Sequence, residues 1–178
     1  MKQNTLPWLL ICGLLLPGSL SACPQDSVAL RYLDAIERMQ WQRMRSLLAD
    51  DARYTDPTMI YFERDAIDIR GAEGIVAFWR SSSEESGTSQ ISYETTGCFE
   101  TAGYNVVNLD IAITVAGNFW DVDKPEIVLP GKVLSVIRVV DGRVAEHHDY
   151  VEYSNAERVV AELQQKYGRA DPSAREVE

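Results

Sequence analysis

The sequence predicts an α+β domain in which helices precede an antiparallel sheet, and three observations support this prediction. Apolar residues recur at helical spacing over residues 28–39. Apolar and polar residues alternate over residues 107–115, as they do in a strand with one buried face. Asp141-Gly142 separates two further strand-like runs and is typical of a two-residue hairpin turn. Helices and strands that are segregated along a chain indicate the α+β class.

The first half of the domain is predominantly helical. Asp26 or Ser27 can cap the first helix, and Tyr32 lies on its inward stripe, where a buried hydroxyl needs a partner. The predicted elements are, in order, a helix over 28–39, a helix over 41–48, a short strand over 53–55, an irregular stretch over 57–70, a helix from Gly71, and a polar loop over 81–87.

The second half changes to the period of a β-strand. Four strands are expected to form an antiparallel meander over residues 90–100, 107–115, 132–140 and 143–153, with a long connection over 117–130. Ser154-Asn155-Ala156-Glu157 has the pattern of a capping box, which predicts a final helix. A curved sheet wrapped against three helices would leave a pocket at its mouth.

The N-terminus has the pattern of a signal peptide, with a basic residue, a short apolar run and small residues at its end. Leu20-Ser21-Ala22-Cys23 resembles a bacterial lipobox. The resemblance implies cleavage before Cys23, lipid on its sulfur, and a lipid-anchored protein of the bacterial cell envelope that faces the periplasm or the exterior. The alternative is ordinary secretion with cleavage at a nearby small residue. The predicted divisions are a signal peptide (1–22), a lipidated tether (23–27), one domain (28–167) and a flexible tail (168–178).

Charge and cysteine content restrict the function classes. Loss of residues 1–22 removes one lysine and no acid, which changes the formal charge from −10 to −11. So acidic a domain is a poor partner for nucleic acid. Cys12 would leave with the signal peptide and Cys23 would carry lipid, so Cys98 is expected to be a lone, small, buried residue without a disulfide.

The stretch over residues 50–57 contains the first candidate for chemistry. Asp56 follows the short strand and precedes Pro57, which restricts its backbone to extended conformations. A carboxylate held in this way suits a functional site. The alternative is a simple turn, since Asp before Pro is common turn chemistry.

Four segments together resemble the NTF2-like superfamily, especially its SnoaL-like and ketosteroid isomerase-like branch. They are Arg31-Tyr32-Leu33, residues 49–57, residues 70–79 and Asp141-Gly142-Arg143-Val144. The resemblance implies a cone-shaped roll in which a curved antiparallel sheet wraps against three helices around an internal pocket. It also implies a homodimer formed through the outer face of the sheet.

The same resemblance implies proton transfer next to a carbonyl group without a cofactor. Asp56 would be the base and Tyr32, which lies 24 residues earlier, would donate a hydrogen bond to the enolate oxygen. Such a donor is needed because the charge of the carbanion must move onto oxygen. Ser135 stands where the isomerases have a protonated Asp, and the pocket is expected to include Tyr54 and Trp79.

The last strand adds further candidates. Glu146, His148 and Tyr150 share one face by alternation, whereas His147 and Asp149 share the other. The first set aligns with pocket-lining positions of the isomerases, so His148 is expected to be an auxiliary acid or base. The alternative is that a histidine here is a satisfied polar residue at the rim or at a dimer face. No metal site is expected, because adjacent histidines on a strand point apart.

Two classes of function remain open. One is a cofactor-free isomerase-like or cyclase-like enzyme acting on a small apolar carbonyl compound. The other is a non-catalytic binding or interaction lipoprotein that uses the same pocket for an apolar ligand.

Overall fold

The computed structural model describes residues 21–62 and 65–170. Predictions for the signal peptide up to residue 20 and for the tail from residue 171 lie outside the described residues. Four helices pack with a seven-stranded sheet, which confirms the α+β class. None of the helices in the described ranges is long and apolar enough to cross a membrane.

The helices are α1 (Val28–Glu37), α2 (Trp41–Leu47), α3 (Ala72–Glu85) and α4 (Tyr153–Tyr167). The Ser27 side chain caps α1 by accepting a hydrogen bond from the Leu30 backbone N–H, as predicted. The predicted polar loop over residues 81–87 is wrong, because α3 continues to Glu85. The Ser81 and Ser83 hydroxyls bond within the helix, where they donate to the carbonyls of Phe78 and Trp79. The final helix is present as predicted, but the capping box is wrong, because α4 begins at Tyr153 and no side chain caps it.

The strands are β1 (Ser21–Ala22), β2 (Leu48–Asp56), β3 (Ile67–Arg70), β4 (Gln90–Thr101), β5 (Tyr104–Ala116), β6 (Glu126–Val140) and β7 (Arg143–Val151). Strands β4 to β7 form the predicted antiparallel meander, and the spatial order is β1-β4-β5-β6-β7-β2-β3. The sheet is mixed rather than wholly antiparallel, because β2 pairs in parallel with β7. Asp141 and Gly142 both have positive φ values, 50° and 74°, which matches the predicted hairpin turn.

The core lies between helices α1 to α3 and the inner face of the sheet. Its fully buried members include Ile36, Met44, Ile75 and Ile137. A second, smaller cluster forms where α4 covers the far ends of β5 and β6, around Ile127. Helices on one face of the sheet leave the other face free of helical cover, so each strand residue has a defined inner or outer position.

A disulfide between Cys23 and Cys98 ties β1 to β4. The two Cα atoms are 5.4 Å apart, within the usual range for a disulfide. The prediction that Cys98 is unpaired is therefore wrong. A disulfide and a lipid thioether exclude each other on one sulfur atom, so lipid on Cys23 stays a prediction that competes with this pairing. The lipobox pattern accounts for Cys23 by itself, so the sequence leaves Cys98 without an evident partner.

A β-bulge in β7 decides which of its residues face inward. Arg138 pairs with Glu146 and Val139 pairs with Val144, so Ala145 is an extra residue without a partner on β6. The alternation of inward and outward residues therefore shifts by one position at the bulge. Val144 and His147 are both buried although they are three positions apart. This shift places His147 and Asp149 inside the domain.

Candidate functional site

Five polar side chains from four elements meet at the inner face of the sheet. Alternation along β2 turns Tyr54 inward, Tyr32 comes from the buried stripe of α1, and β6 supplies Ser135. The bulge in β7 adds His147 and Asp149, and Ser135 and Asp149 are cross-strand partners. None of the five is more than 5% exposed. We call these five residues the inner network.

The inner network is continuously hydrogen-bonded. The Tyr32 hydroxyl lies 3.2 Å from His147 Nδ1, and His147 Nε2 lies 2.8 Å from Asp149 Oδ1. The Ser135 hydroxyl donates to the same carboxylate oxygen at 2.5 Å, and the Tyr54 hydroxyl donates to Oδ2 at 3.3 Å. Asp149 is thus the centre on which three side chains converge.

Burial keeps the tyrosines of this region protonated. Burial, followed by the negative charge of Asp149, raises the pKa of Tyr32 and of Tyr54 well above the ordinary value. The same causes raise the pKa of Tyr93, which β4 contributes nearby. These hydroxyl groups therefore keep their protons and can donate hydrogen bonds at neutral pH.

Asp56 forms a second buried group, two positions along the same face of β2 from Tyr54, and it is 1% exposed. Its Oδ1 accepts hydrogen bonds from the Thr58 backbone N–H at 2.9 Å and from the Thr58 hydroxyl at 2.5 Å. Its Oδ2 accepts from the Tyr153 hydroxyl at the start of α4. Asp56 therefore closes the turn and also faces the interior, and its role in a site stays a prediction.

The outer face of the same strands carries the residues that were expected in the pocket. His148 Nδ1 lies 2.7 Å from the Thr55 hydroxyl, and its Nε2 lies 3.2 Å from Glu146. Glu146 also pairs with Arg138 at 2.8 Å, and the hydrogen bonds from Arg138 and His148 lower the pKa of Glu146. Tyr150 is 46% exposed. We call Thr55, Glu146, His148 and Arg138 the outer chain.

The predicted pocket positions of Glu146, His148 and Tyr150 are therefore wrong. Their grouping by alternation is correct, but the bulge at Ala145 turns the other set inward. Asp149 was missed as a site residue. Its position opposite Ser135 was the available signal, because cross-strand partners share a face and Ser135 was already expected to face inward.

Trp79 contacts the inner network from α3. Its ring centroid lies 5.5 Å from that of Tyr54, and its half-buried side chain holds an indole Nε1–H that is shielded from solvent and has no hydrogen-bond partner. Such a donor costs stability unless something accepts it. Trp79 is thus the one residue of the predicted pocket with an unused donor beside the network.

An open groove of about 460 Å³ crosses the outer face of the sheet. Its lining includes Asp110, Lys132, Leu134 and Tyr150, together with Thr58 at one end. No inner-network residue lines this groove. Because the five residues of the inner network are at most 5% exposed, a ligand would reach them only if the domain opened beside them.

We looked next at side chains in residues 21–62 and 65–170 that could bind a metal ion. No group of three or more His, Cys, Asp or Glu side chains there is arranged to hold a metal ion. The side chains of the inner network are instead those of acid–base chemistry: one imidazole, one carboxylate and three hydroxyl groups.

Comparisons with known proteins agree with this fold. A family model described as a SnoaL-like domain matches residues 29–147. No curated protein matches the chain. A candidate SnoaL-like polyketide cyclase from Shewanella putrefaciens CN-32 has a similar structure, with a TM-score of 0.68, 16% identity, and coverage of 79% of this chain and 98% of its own.

Two other solved structures show how varied the neighbours are. An LEH-like epoxide hydrolase from M. tuberculosis has a TM-score of 0.60 and 14% identity, covering 78% of this chain and 90% of its own. A candidate ketosteroid isomerase from Kribbella flavida DSM 17836 has a TM-score of 0.52 and 19% identity, covering 70% and 75%. At these identities the likeness concerns the fold alone.

Proposed function

Since the chain belongs to the SnoaL-like domain family, we propose that it is a cofactor-free enzyme that transfers a proton on a small apolar carbonyl compound, in the manner of a ketosteroid isomerase or a cyclase. The observation that carries the proposal is the inner network. Burying an imidazole, a carboxylate and three hydroxyl groups where apolar side chains would pack costs stability, which an acid–base function would explain.

Asp56 is proposed as the base and Tyr32 as the donor to the enolate oxygen. Both face the interior from elements that are fixed by the sheet and by α1. The isomerases that this chain resembles place a second carboxyl group where Ser135 stands. Here Asp149 lies directly opposite Ser135 and shares a hydrogen bond with it, so the neighbouring strand supplies the carboxyl group.

The carboxylate of Asp56 needs to be released before it can act. Three hydrogen bonds, two from Thr58 and one from Tyr153, hold it in the closed domain. Tyr153 begins α4, so a displacement of the start of this helix would remove one donor and expose Oδ2. Substrate entry on this side is the step that the proposal requires.

The test is turnover of a β,γ-unsaturated ketosteroid, followed in the ultraviolet as the conjugated enone forms. The protein should begin at Ser21 and be oxidised, so that the disulfide is intact. Asp56→Asn should abolish turnover, whereas Asp68→Asn, which changes an exposed carboxylate paired with Arg53, should retain it. Equal activity in Asp56→Asn and the parent would refute the assignment of the base.

A second candidate is a non-catalytic binding protein for an apolar ligand. The saturation of Asp56 and the closure of the inner network favour this candidate, because both are typical of a structural core. Ligand binding detected by tryptophan fluorescence or by calorimetry, without turnover in any variant, would select it over the enzyme.

We also propose that the domain works outside the cytoplasm of a bacterium and is not anchored through Cys23. The signal-like N-terminus supports export, and a disulfide persists best in an oxidising compartment. Mass spectrometry of the chain expressed at full length in a bacterial host tests this. A mature mass without lipid that rises by two hydrogens on reduction is expected, and an acylated Cys23 would refute it.

Finally, we propose a homodimer through the outer face of the sheet. Val128, Leu134 and Tyr150 are exposed there by 52%, 36% and 46%, and Leu134 and Tyr150 also line the groove. Light scattering at micromolar concentration should give twice the chain mass, and Leu134→Glu should halve it. A monomeric parent protein would end this proposal.

A further inference from the structure

The direction of one hydrogen bond in the inner network follows from the protonation of Tyr32. Its hydroxyl is fully buried and lies 3.2 Å from His147 Nδ1. Burial, the charge of Asp149 and the presence of Tyr93 raise the pKa of Tyr32, so the hydroxyl keeps its proton. A buried O–H that keeps its proton donates it to the available acceptor, which here is the Nδ1 lone pair.

The other side of the imidazole leads to the same tautomer. His147 Nε2 lies 2.8 Å from Asp149 Oδ1, an oxygen that already accepts from Ser135 at 2.5 Å. Tyr54 donates to the second oxygen. A carboxylate that is surrounded by donors is an acceptor itself, so Nε2 has to carry a proton. If Nε2 were bare, two lone pairs would face each other in a dry core.

We propose that Asp149 and His147 act as positioning residues that fix the resting orientation of the Tyr32 hydroxyl. Asp149 holds the proton of His147 on Nε2, and the bare Nδ1 then draws the hydroxyl proton of Tyr32 towards the imidazole. The proposal rests on the proposed function in one respect only, namely that Tyr32 meets a ligand oxygen. A ligand carbonyl and His147 Nδ1 would compete for one proton, so Tyr32 can serve the enolate only when it gives up its bond to Nδ1.

Among the described hydrogen bonds, the Tyr32 hydroxyl has no acceptor other than His147 Nδ1. The other ionisable groups around Tyr32 and His147 are Tyr54 and Asp56 from β2, Tyr93 from β4, Asp149 from β7 and Tyr153 from the start of α4. All four tyrosines have a raised pKa, chiefly through burial, and they remain donors. The two carboxylates are each held by their own donors.

The chain offers a direct spectroscopic test, because it contains only two histidines. In untagged, ¹⁵N-labelled His148→Gln protein, His147 is the sole imidazole, and correlations between ring C–H groups and ring nitrogens report the state of each nitrogen. At neutral pH we expect a protonated Nε2 and a bare Nδ1. Protonation of Nδ1, either alone or with Nε2, would overturn the proposal.

Two further variants assign each contact separately. Tyr32→Phe removes only the donor to Nδ1 and should move the Nδ1 resonance while Nε2 stays in place. Asp149→Asn should move Nε2 and allow a mixture of tautomers. Tyr104→Phe, on the outer face, is the matched control and should move neither. An unchanged Nδ1 resonance in folded Tyr32→Phe protein would also refute the proposal.

These outcomes are independent of turnover. If the protein shows the expected tautomer but neither binds nor converts a carbonyl compound, the proposed function fails and the positioning of Tyr32 stands. If turnover is found with Nδ1 protonated, the enzyme stands and the positioning role fails. In an active enzyme, His147→Phe should raise kcat more than it changes KM, because it removes the competitor for the Tyr32 proton without removing a binding surface, and a lower kcat in the folded variant would contradict this competition.

Discussion

Two adjacent histidines on one strand have opposite environments. His147 faces inward and is 1% exposed, with Tyr32 on one ring nitrogen and Asp149 on the other. His148 faces outward, with Thr55 on one nitrogen and Glu146 on the other. Each imidazole thus lies between a hydroxyl group and a carboxylate. The two sets of partners are chemically alike, and they differ in their access to water.

The comparison indicates that burial, rather than the identity of the partners, decides how much such a set of hydrogen bonds contributes to the free energy of unfolding. In the outer chain, solvent can replace a lost partner, and Arg138 shares the charge of Glu146. In the inner network a lost partner leaves a polar atom with nothing to bond, which costs its full desolvation. The same substitution type should therefore have a large effect inside and a small one outside.

The largest difference is expected at alkaline pH. The folded pKa values of Tyr32, Tyr54, Tyr93 and Tyr153 are raised above the unfolded value of about 10, so their contribution is present below pH ~10 and is lost as pH rises further. Each tyrosine should cost about 1.4 kcal/mol per pH unit there, or roughly 6 kcal/mol for all four by pH ~11. Urea unfolding measured from pH ~8 to pH ~11 tests this.

A matched pair of variants shows whether burial causes this loss. Tyr32→Phe should reduce the alkaline slope by about one quarter, as one of the four tyrosines with a raised pKa is removed. Tyr150→Phe removes a hydroxyl group that is 46% exposed, and it should leave the slope as it is. Equal slopes in both variants would mean that the buried hydroxyls do not govern alkaline stability.

Much of the fold was accessible from sequence because its signals are local. The stripe of α1, the Ser27 cap, the strand β5 and the Asp141-Gly142 turn each depend on neighbouring residues. The parallel pairing of β2 with β7 depends on contacts that are distant in sequence. The disulfide was missed for a different reason, since one cysteine had been assigned to another chemistry.

The candidate site was predictable up to the point where strand parity is interrupted. Tyr32, Tyr54, Asp56 and Ser135 lie on the inner face, as expected from their positions on helix and strand. The faces of β7 could not be assigned, because a single unpaired residue, Ala145, exchanges inside and outside for everything after it. Alternation determines which residues share a face but does not determine which face is buried.

An intermediate effect is expected when the carboxylate of the inner network and that of the outer chain are removed in two separate variants. Asp149→Ala leaves buried Ser135, Tyr54 and His147 without their acceptor and should lower the free energy of unfolding by about 3 kcal/mol. Glu146→Ala, the matched change outside, should cost less than about 1 kcal/mol. Chemical denaturation of both variants measures the difference, and similar losses would contradict the role assigned to burial.

The smallest effect should appear in acid. Hydrogen bonds from Arg138 and His148 lower the folded pKa of Glu146 below its unfolded value of about 4.5, so its contribution is present above that pH and is lost as pH falls through the folded pKa. The side chain is 30% exposed, and solvent limits the gain to a few tenths of a kcal/mol, about the value of a surface ion pair. Unfolding of Glu146→Gln and parent protein should differ slightly at pH ~6 and converge below pH ~4. A difference that grows in acid would show that the carboxylate is destabilised in the fold, and the outer chain would then resemble a strained site instead of a solvated surface.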